Sequence, residues 1–343
     1  MMRLPWFRYR APQSVAEAAR ILAAEGPAAM LIAGGTDLLP NMKRRQHSPA
    51  MLVSLRRIDS LKKSSGTGAG DPGVALGAGL TLSEIVESAA MRENYRALWQ
   101  AAAQVATPLL RNMGTLGGNL CLDTRCLYYN QNYEWRKAID FCMKKDGAVC
   151  WVAPGSKRCL AVSSSDTAPA LIALNARVRL VSAQGERELA AADLYRNDGI
   201  EYLTRQSDEV LTEVSLPSMR GWRSAYWKLR RRGSFDFPVL GIAVAVRGGS
   251  RGPVEDARVV LGAVSSRPLL TGAGDSLVGG PLSDAAIEAC AARAAAAAKP
   301  MDNTDLDLYW RKDVVSVLVG YALREVRGDD MRAARRRLAH RVL

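Results

Sequence analysis

Histidine is almost missing from this chain of 343 residues, which holds only His47 and His340. Two imidazoles so far apart in sequence argue against a hydrolytic triad or a histidine-rich zinc site, and neither G-x-S-x-G nor H-E-x-x-H occurs. Long apolar runs are missing too. The run of small residues from Ala291 to Ala298 is nearly pure alanine and contains Arg293, so no membrane span is expected. The basic N-terminus, Met1 to Arg10, has no apolar stretch behind it; without a secretory signal, a reducing cytoplasm is the expected compartment. Phenylalanine numbers four, and no zinc-finger, RNP or helix-turn-helix spacing is present. The net charge of +13 is therefore a weak argument for nucleic acid. Scattered groups such as Lys43-Arg44-Arg45, Arg230-Arg231-Arg232 and Arg335-Arg336-Arg337 suit equally an acidic electron donor, an anionic cofactor or an acidic neighbouring subunit.

Cysteine, by contrast, is concentrated. Cys121, Cys126, Cys142, Cys150 and Cys159 fall within 39 residues, while Cys290 stands alone in an alanine-rich helix and reads as inert. In a reducing compartment such a cluster points to metal or iron–sulfur ligation rather than disulfides. Paired C-x2-C knuckles are absent, and thiolates on long irregular spacings suit an iron–sulfur cube better than zinc. Buried free cysteines are the plain alternative. Against it, the segment Asp123 to Lys145, with Arg125, Asn130, Gln131, Asn132, Glu134, Arg136 and Lys137, is too polar to be expected in a core. The residues alone do not say which four of the five cysteines act together.

The length suggests two or three packed units. Ser14 with Glu17 forms a capping box ahead of a helix through Leu22, and the strand from Ala28 to Ala33 ends in Gly34-Gly35-Thr36-Asp37. Ser64 to Gly73 reads as a flexible linker, Val74 to Ala78 as a strand, and Thr81 or Ser83 as the cap of a helix through Arg92. After Pro108 comes Arg111-Asn112-Met113-Gly114-Thr115-Leu116-Gly117-Gly118-Asn119. Ser163 to Asp166 caps a helix from Thr167 to Leu174; Val178 to Ser182 follows as a strand, and Thr212 to Leu216 as the closing strand of the unit. Beyond a boundary near Met219 to Gly221, strands are expected at Val239 to Val246 and Arg258 to Val264, then helices at Ser283 to Lys299 and Tyr309 to Val326. Both glycine turns can bring backbone N–H groups to a phosphate without a Cβ in the way. Neither is a Walker A or G-x-G-x-x-G motif, and a lone Gly-Gly is as often a plain tight turn. Together they suggest a two-sided pyrophosphate cradle.

The segments LIAGGTDLLPNMK, LGAGLTLSEI, RNMGTLGGN and SDTAPAL closely resemble the FAD-binding medium subunits of the molybdenum hydroxylases, the xanthine dehydrogenase family, over nearly the whole chain. The resemblance implies an α+β fold: a PCMH-type FAD-binding domain of two α/β subdomains at 1–220, carrying an iron–sulfur insertion loop at about 121–160. A smaller α/β C-terminal domain of the CO dehydrogenase flavoprotein type would occupy 221–330, and a basic tail 331–343. It further implies Ala33, Gly34, Gly35, Thr36 and Asp37 on the FAD pyrophosphate and ribityl, with Thr115, Gly118 and Asn119 closing the other side. Asp166 would lie near the flavin ring or ribityl, or be a helix cap; Lys228 would approach the isoalloxazine, or lie on a solvated basic strand.

The cysteine-bearing insertion from LCLDTRCLYYNQ onward resembles the β subunits of the 4-hydroxybenzoyl-CoA reductases, a branch of that family with a [4Fe-4S] cluster there. This implies Cys126, Cys142, Cys150 and Cys159 as ligands, with Cys121 spare and packed beside the flavin. Asp123, Arg125, Tyr128, Tyr129 and Trp135 would cover the inserted loop or tune the cluster. The resemblance implies an electron-transfer subunit with FAD and one [4Fe-4S] cluster and no substrate chemistry of its own. Its expected partners are a large molybdopterin subunit, a small [2Fe-2S] subunit and a ferredoxin donor, in a dimer of heterotrimers without nucleic acid or membrane. The expected reaction is reductive dehydroxylation of 4-hydroxybenzoyl-CoA; an oxidative hydroxylase of aldehydes or N-heterocycles is the alternative, and a basic flavin- or nucleic-acid-binding regulator the alternative of another class.

Overall fold

Ser14 Oγ accepts the Glu17 amide at 3.1 Å and opens the first helix. The Glu17 carboxylate reaches the Gln13 amide instead of that of Ser14, so only half of the expected capping box forms. The computed structural model describes residues 3–66, 73–249 and 252–340, without the His340 side chain; the middle of the linker, 67–72, and the last three residues of the tail lie outside the described residues. The chain begins with β1 (Arg8–Arg10), α1 (Val15–Glu25), β2 (Ala29–Ile32), α2 (Leu38–Lys43) and β3 (Met51–Ser54). The three strands form a parallel sheet in the order β1-β3-β2. Ala18 and Leu22, one turn apart on α1, bury against Met51 and Val53, as a helix with a single apolar stripe should.

The second unit holds β4 (Ser64–Ser65), β5 (Val74–Gly77), α3 (Leu82–Glu87), α4 (Ala89–Asn94), α5 (Arg96–Ala103), α6 (Pro108–Arg111), α7 (Leu116–Leu120), α8 (Tyr133–Ala138), α9 (Thr167–Ala173), β6 (Arg177–Ser182), β7 (Gly185–Ala190) and β8 (Val210–Leu216). The helix expected through Arg92 is two helices. Thr81 caps the first in a full capping box with Glu84, and Ser88 ends it and caps the second through the Met91 amide. The strand expected to close this unit is central: the order is β4-β5-β8-β6-β7, with β8 antiparallel to both neighbours.

The third unit is an antiparallel sheet in the order β12-β11-β10-β9, built from β9 (Trp222–Leu229), β10 (Leu240–Gly248), β11 (Val254–Gly262) and β12 (Leu269–Thr271), with α10 (Asp284–Ala297), α11 (Leu308–Arg327) and α12 (Arg332–His340). One face carries Trp227, Ile242 and Val259 against Ile287, Val315 and Val319 of the helices. The other carries Tyr226, Ala243 and Val260 against α5 and α9. Burial on both faces explains why β10 reads as an unbroken apolar run. It also overturns the solvated basic strand expected around Lys228, since β9 is buried from Ser224 to Leu229. The basic tail is in large part a helix, whose Arg335 stacks over Trp227 at 4.2 Å and pairs with Glu325.

Candidate functional site: two glycine turns and a cysteine-lined cavity

The first turn follows β2 directly. Gly35 adopts φ +70, a conformation glycine reaches without a Cβ penalty, and the chain passes through Thr36 and Asp37 into α2. No acceptor among the described residues takes the amides of Gly34, Gly35, Thr36 or Asp37; the first engaged amide beyond them is Leu39, bonded to the Gly35 carbonyl at 3.1 Å. A row of unengaged N–H groups ahead of a helix is suited to an anion.

The second turn is built differently. Gly114 donates to Leu110 O, Leu116 to Leu80 O, Gly117 to Ala78 O and Asn119 to Thr115 O, while the Gly118 amide is taken by Thr115 Oγ1 at 3.1 Å. Those amides are therefore engaged inside the protein, and the expectation that both turns offer open N–H rows holds only for the first. The glycines of the second turn serve close packing. A Cβ on Gly117 would stand 2.8 Å from the Ala78 Cβ, and the turn's Met113 carbonyl oxygen lies where a Cβ on Gly34 would come within 1.8 Å. The two turns are pressed together backbone on backbone. Asn119 joins them to α9, its Oδ1 accepting from Ser165 Oγ at 2.9 Å and Thr167 Oγ1 at 2.7 Å.

Asp37 does not present an open carboxylate. Its Oδ1 is paired with Arg125 and its Oδ2 accepts from Asn41 Nδ2 at 2.9 Å. Asp166 occupies the capping position of α9 but makes no cap with its side chain; Ser165 Oγ takes the Ala168 amide instead. The Asp166 carboxylate receives Lys228 Nζ at 2.8 Å and the Tyr226 hydroxyl at 2.7 Å. Lys228 spends its other two N–H bonds on the carbonyls of Gln104 and Asp236. Burial pushes Asp166 above the ordinary carboxylate range against the pull of Lys228, and pushes Lys228 below its own.

The insertion is clamped at its base by Arg125 and Val162, which exchange backbone hydrogen bonds of 2.8 and 2.7 Å. Cys126, Cys142, Cys150 and Cys159 are all free, are 5 to 7% exposed, and line one cavity with Tyr128, Tyr129, Lys144 and Trp151. Burial raises the thiol of Cys126 to about 12 and that of Cys159 to about 11, so a metal would have to displace their protons. Among the described residues no group of three or more His, Cys, Asp or Glu side chains is placed to hold a metal ion. An all-thiol lining is the donor chemistry of iron–sulfur clusters and of structural zinc alike. Cys121 stands apart from that cavity; its thiol is raised by burial and lies beside Arg205, near Tyr195 and Tyr202. Cys290 is buried in α10, its Sγ bonded to Ala273 O at 3.2 Å.

Of the polar residues that argued against burial of this segment, Asn132, Glu134 and Lys137 stay exposed and Asn130 and Gln131 half-buried. Asp123, Thr124, Arg125, Tyr129 and Arg136 are all at most 6% exposed. Lys144 gives its three N–H bonds to Asp123 Oδ1 at 2.8 Å, Thr124 Oγ1 at 2.7 Å and Gly199 O at 2.5 Å. His47, remote in sequence, reaches Asp123 Oδ2 at 3.2 Å. Sequence reasoning missed Lys144 and Gly199, where a Cβ would stand 2.6 Å from Cys159 Sγ. Only the position of Lys144, two residues after Cys142, carried a hint. Tyr128 and Trp135 lie ring to ring at 6.4 Å, with Trp135 40% exposed, as a cover over the loop.

Residues 5–219 match the FAD binding domain in molybdopterin dehydrogenase, and residues 224–326 the CO dehydrogenase flavoprotein C-terminal domain. The aldehyde oxidoreductase FAD-binding subunit PaoB of Escherichia coli (strain K12) is 32% identical over 283 residues, 79% of this chain and 85% of that one. The carbon monoxide dehydrogenase medium chain of Hydrogenophaga pseudoflava is 28% identical over 93% of this chain and 96% of its own. The nicotinate dehydrogenase FAD-subunit of Eubacterium barkeri is 28% identical over 82% and 83%. Among solved structures, the carbon monoxide dehydrogenase from Hydrogenophaga pseudoflava superposes with a TM-score of 0.77 at 27% identity, over 94% of this chain and 97% of that one.

Proposed function

Because this chain belongs to the FAD-binding medium subunits of the molybdenum hydroxylase and CO dehydrogenase family, we propose that it carries electrons within a heteromeric molybdenum enzyme while the substrate reacts on a partner subunit. The observation that carries this reading is the open amide row at Gly34 to Asp37, inside a domain of FAD-binding type. Bound FAD supplies exchange between two-electron and one-electron transfer. The chain's residues hold and orient it: the first turn meets the pyrophosphate charge with N–H dipoles, and Ala33, Thr36, Thr115, Gly118 and Asn119 shape the walls. Asp166 and Lys228 back the flavin end as an ion pair of no net charge. Cys126, Cys142, Cys150 and Cys159 would hold a [4Fe-4S] cluster, whose chemistry is one-electron transfer.

The named relatives act, by their names, on aldehyde, nicotinate and carbon monoxide, and they support an oxidative complex. In it a large molybdopterin subunit and a small [2Fe-2S] subunit feed electrons to this chain's FAD, in a cytoplasmic assembly. A second reading rests on the cysteine cavity: an added low-potential cluster would serve reductive dehydroxylation of 4-hydroxybenzoyl-CoA, with electrons entering from ferredoxin. Purifying the native complex and measuring its subunits, molybdenum, iron and flavin tests the common part; a lone chain without flavin overturns it. Reduction of the bound flavin by an aldehyde or N-heterocycle supports the oxidative reading. Reduction by ferredoxin, coupled to loss of the phenolic hydroxyl, supports the other.

A further inference from the structure

We infer that Arg125, supplied by the cysteine-bearing insertion, is a positioning residue of the dinucleotide site: it neutralises Asp37 so that the first glycine turn can accept a doubly charged pyrophosphate. The inference rests on the reading of that turn as the FAD site. An anion site built from N–H dipoles is weakened by a carboxylate in its own loop, and Asp37 is that carboxylate, with its side chain 28% exposed. Each of its carboxylate oxygens faces a donor from the protein. Arg125 Nη2 pairs with Oδ1, Asn41 Nδ2 donates to Oδ2, and Arg125 Nη1 donates to Asn41 Oδ1 at 3.2 Å, closing a triangle.

Among the described residues Arg125 has no other ion-pair partner, and its own surroundings hold it still. The side chain is 6% exposed, the Phe237 ring lies 4.5 Å from its guanidinium carbon, and its backbone is locked to Val162 in both directions. Burial lowers the Arg125 guanidinium to about 10, which leaves it charged at neutral pH. With Arg125 removed, Asp37 stands as an uncompensated negative charge beside the place the diphosphate must occupy, in a partly desolvated setting that still admits some screening by salt. The residue that prevents this is one position before Cys126, so the insertion reaches the first glycine turn through the neighbour of a cavity cysteine.

The test is FAD binding to the flavin-stripped full chain, read by quenching of flavin fluorescence. Arg125→Met is expected to weaken FAD binding on the order of tenfold or more, with the loss shrinking as ionic strength rises. Arg125→Met/Asp37→Asn, which removes the repulsion with its source, is expected to recover most of the affinity. Unchanged affinity in Arg125→Met overturns the inference. So does an equal, salt-independent loss in the double variant, since a merely structural role for Arg125 would not be rescued by removing a charge. If Arg125→Met fails to fold, the double variant still decides, because it buries no unpaired charge. Gly35→Val separates the two levels: retained FAD in that variant overturns the turn as the FAD site, whereas lost FAD there with tight binding in Arg125→Met overturns only the role of Arg125.

Discussion

Asp166 and Lys228, 62 residues apart in the chain, meet as a sealed ion pair: Nζ lies 2.8 Å from Oδ2, with the lysine side chain fully buried and the aspartate 5% exposed. The pair ties the start of α9 to β9 and so joins the helix behind the second glycine turn to the C-terminal sheet. Lys228→Met is expected to destabilise the chain by about 3–5 kcal/mol, because it strands a buried carboxylate. Lys228→Met/Asp166→Asn should regain a large share of that loss. Urea unfolding of the two variants checks this, and equal losses in both would show that the charge is not the cause.

Gly34→Ala should be far more damaging than an alanine elsewhere in the turns. Its Cβ would fall 1.8 Å from the Met113 carbonyl oxygen, which is backbone and cannot swing away. We expect loss of about 1–3 kcal/mol from overpacking and release of flavin as the turns part. Gly118→Ala meets only the Thr115 hydroxyl, at 3.0 Å, and should keep more of its FAD; flavin absorbance per chain distinguishes them.

Serine at Cys126, Cys142, Cys150 or Cys159 should each remove about four irons per chain together with the broad visible absorbance. Cys121→Ser should keep both, since that thiol lies apart from the cavity. Metal analysis of the purified variants decides the ligand set, and zinc in place of iron would break it.

Asp123 gives the insertion a pH signature. Burial alone would raise its carboxyl, but Lys144 and His47 outweigh burial and hold it down, from 3.8 to about 2. The folded chain thus binds this proton less readily than the unfolded chain. The stability it contributes is present above a pH of about 4 and is lost as pH falls towards about 2; by linkage it amounts to about 2 kcal/mol. Asp123→Asn should be less stable than the parent at neutral pH, with the gap closing across that acid window. Denaturant unfolding at a series of pH values would detect it, and a constant gap would contradict it.

Much of this was legible in the residues. The Ser14 cap, the apolar run of β10, the strand delivering Gly34-Gly35 and the grouping of the cysteines all depend on neighbours close in sequence. What could not be read depends on distant partners. Burial of β9 around Lys228 requires Asp166 from another unit. The polar insertion packs because Asp37, Asn41 and His47 come to meet Arg125 and Asp123. The Leu116 and Gly117 amides of the second turn are engaged because the carbonyls of Leu80 and Ala78 lie against them, a fact of packing that the motif's own letters do not contain.

The central place of β8 also orders events in time. Residues 74–77 pair with residues 213–216, and β8 then pairs with β6 on its other side. The middle of the five-stranded sheet is thus the last of its strands to leave the ribosome. Joining it is a contact of long sequence separation, the kind that slows folding, and every cysteine of the insertion has been synthesised before that contact can form.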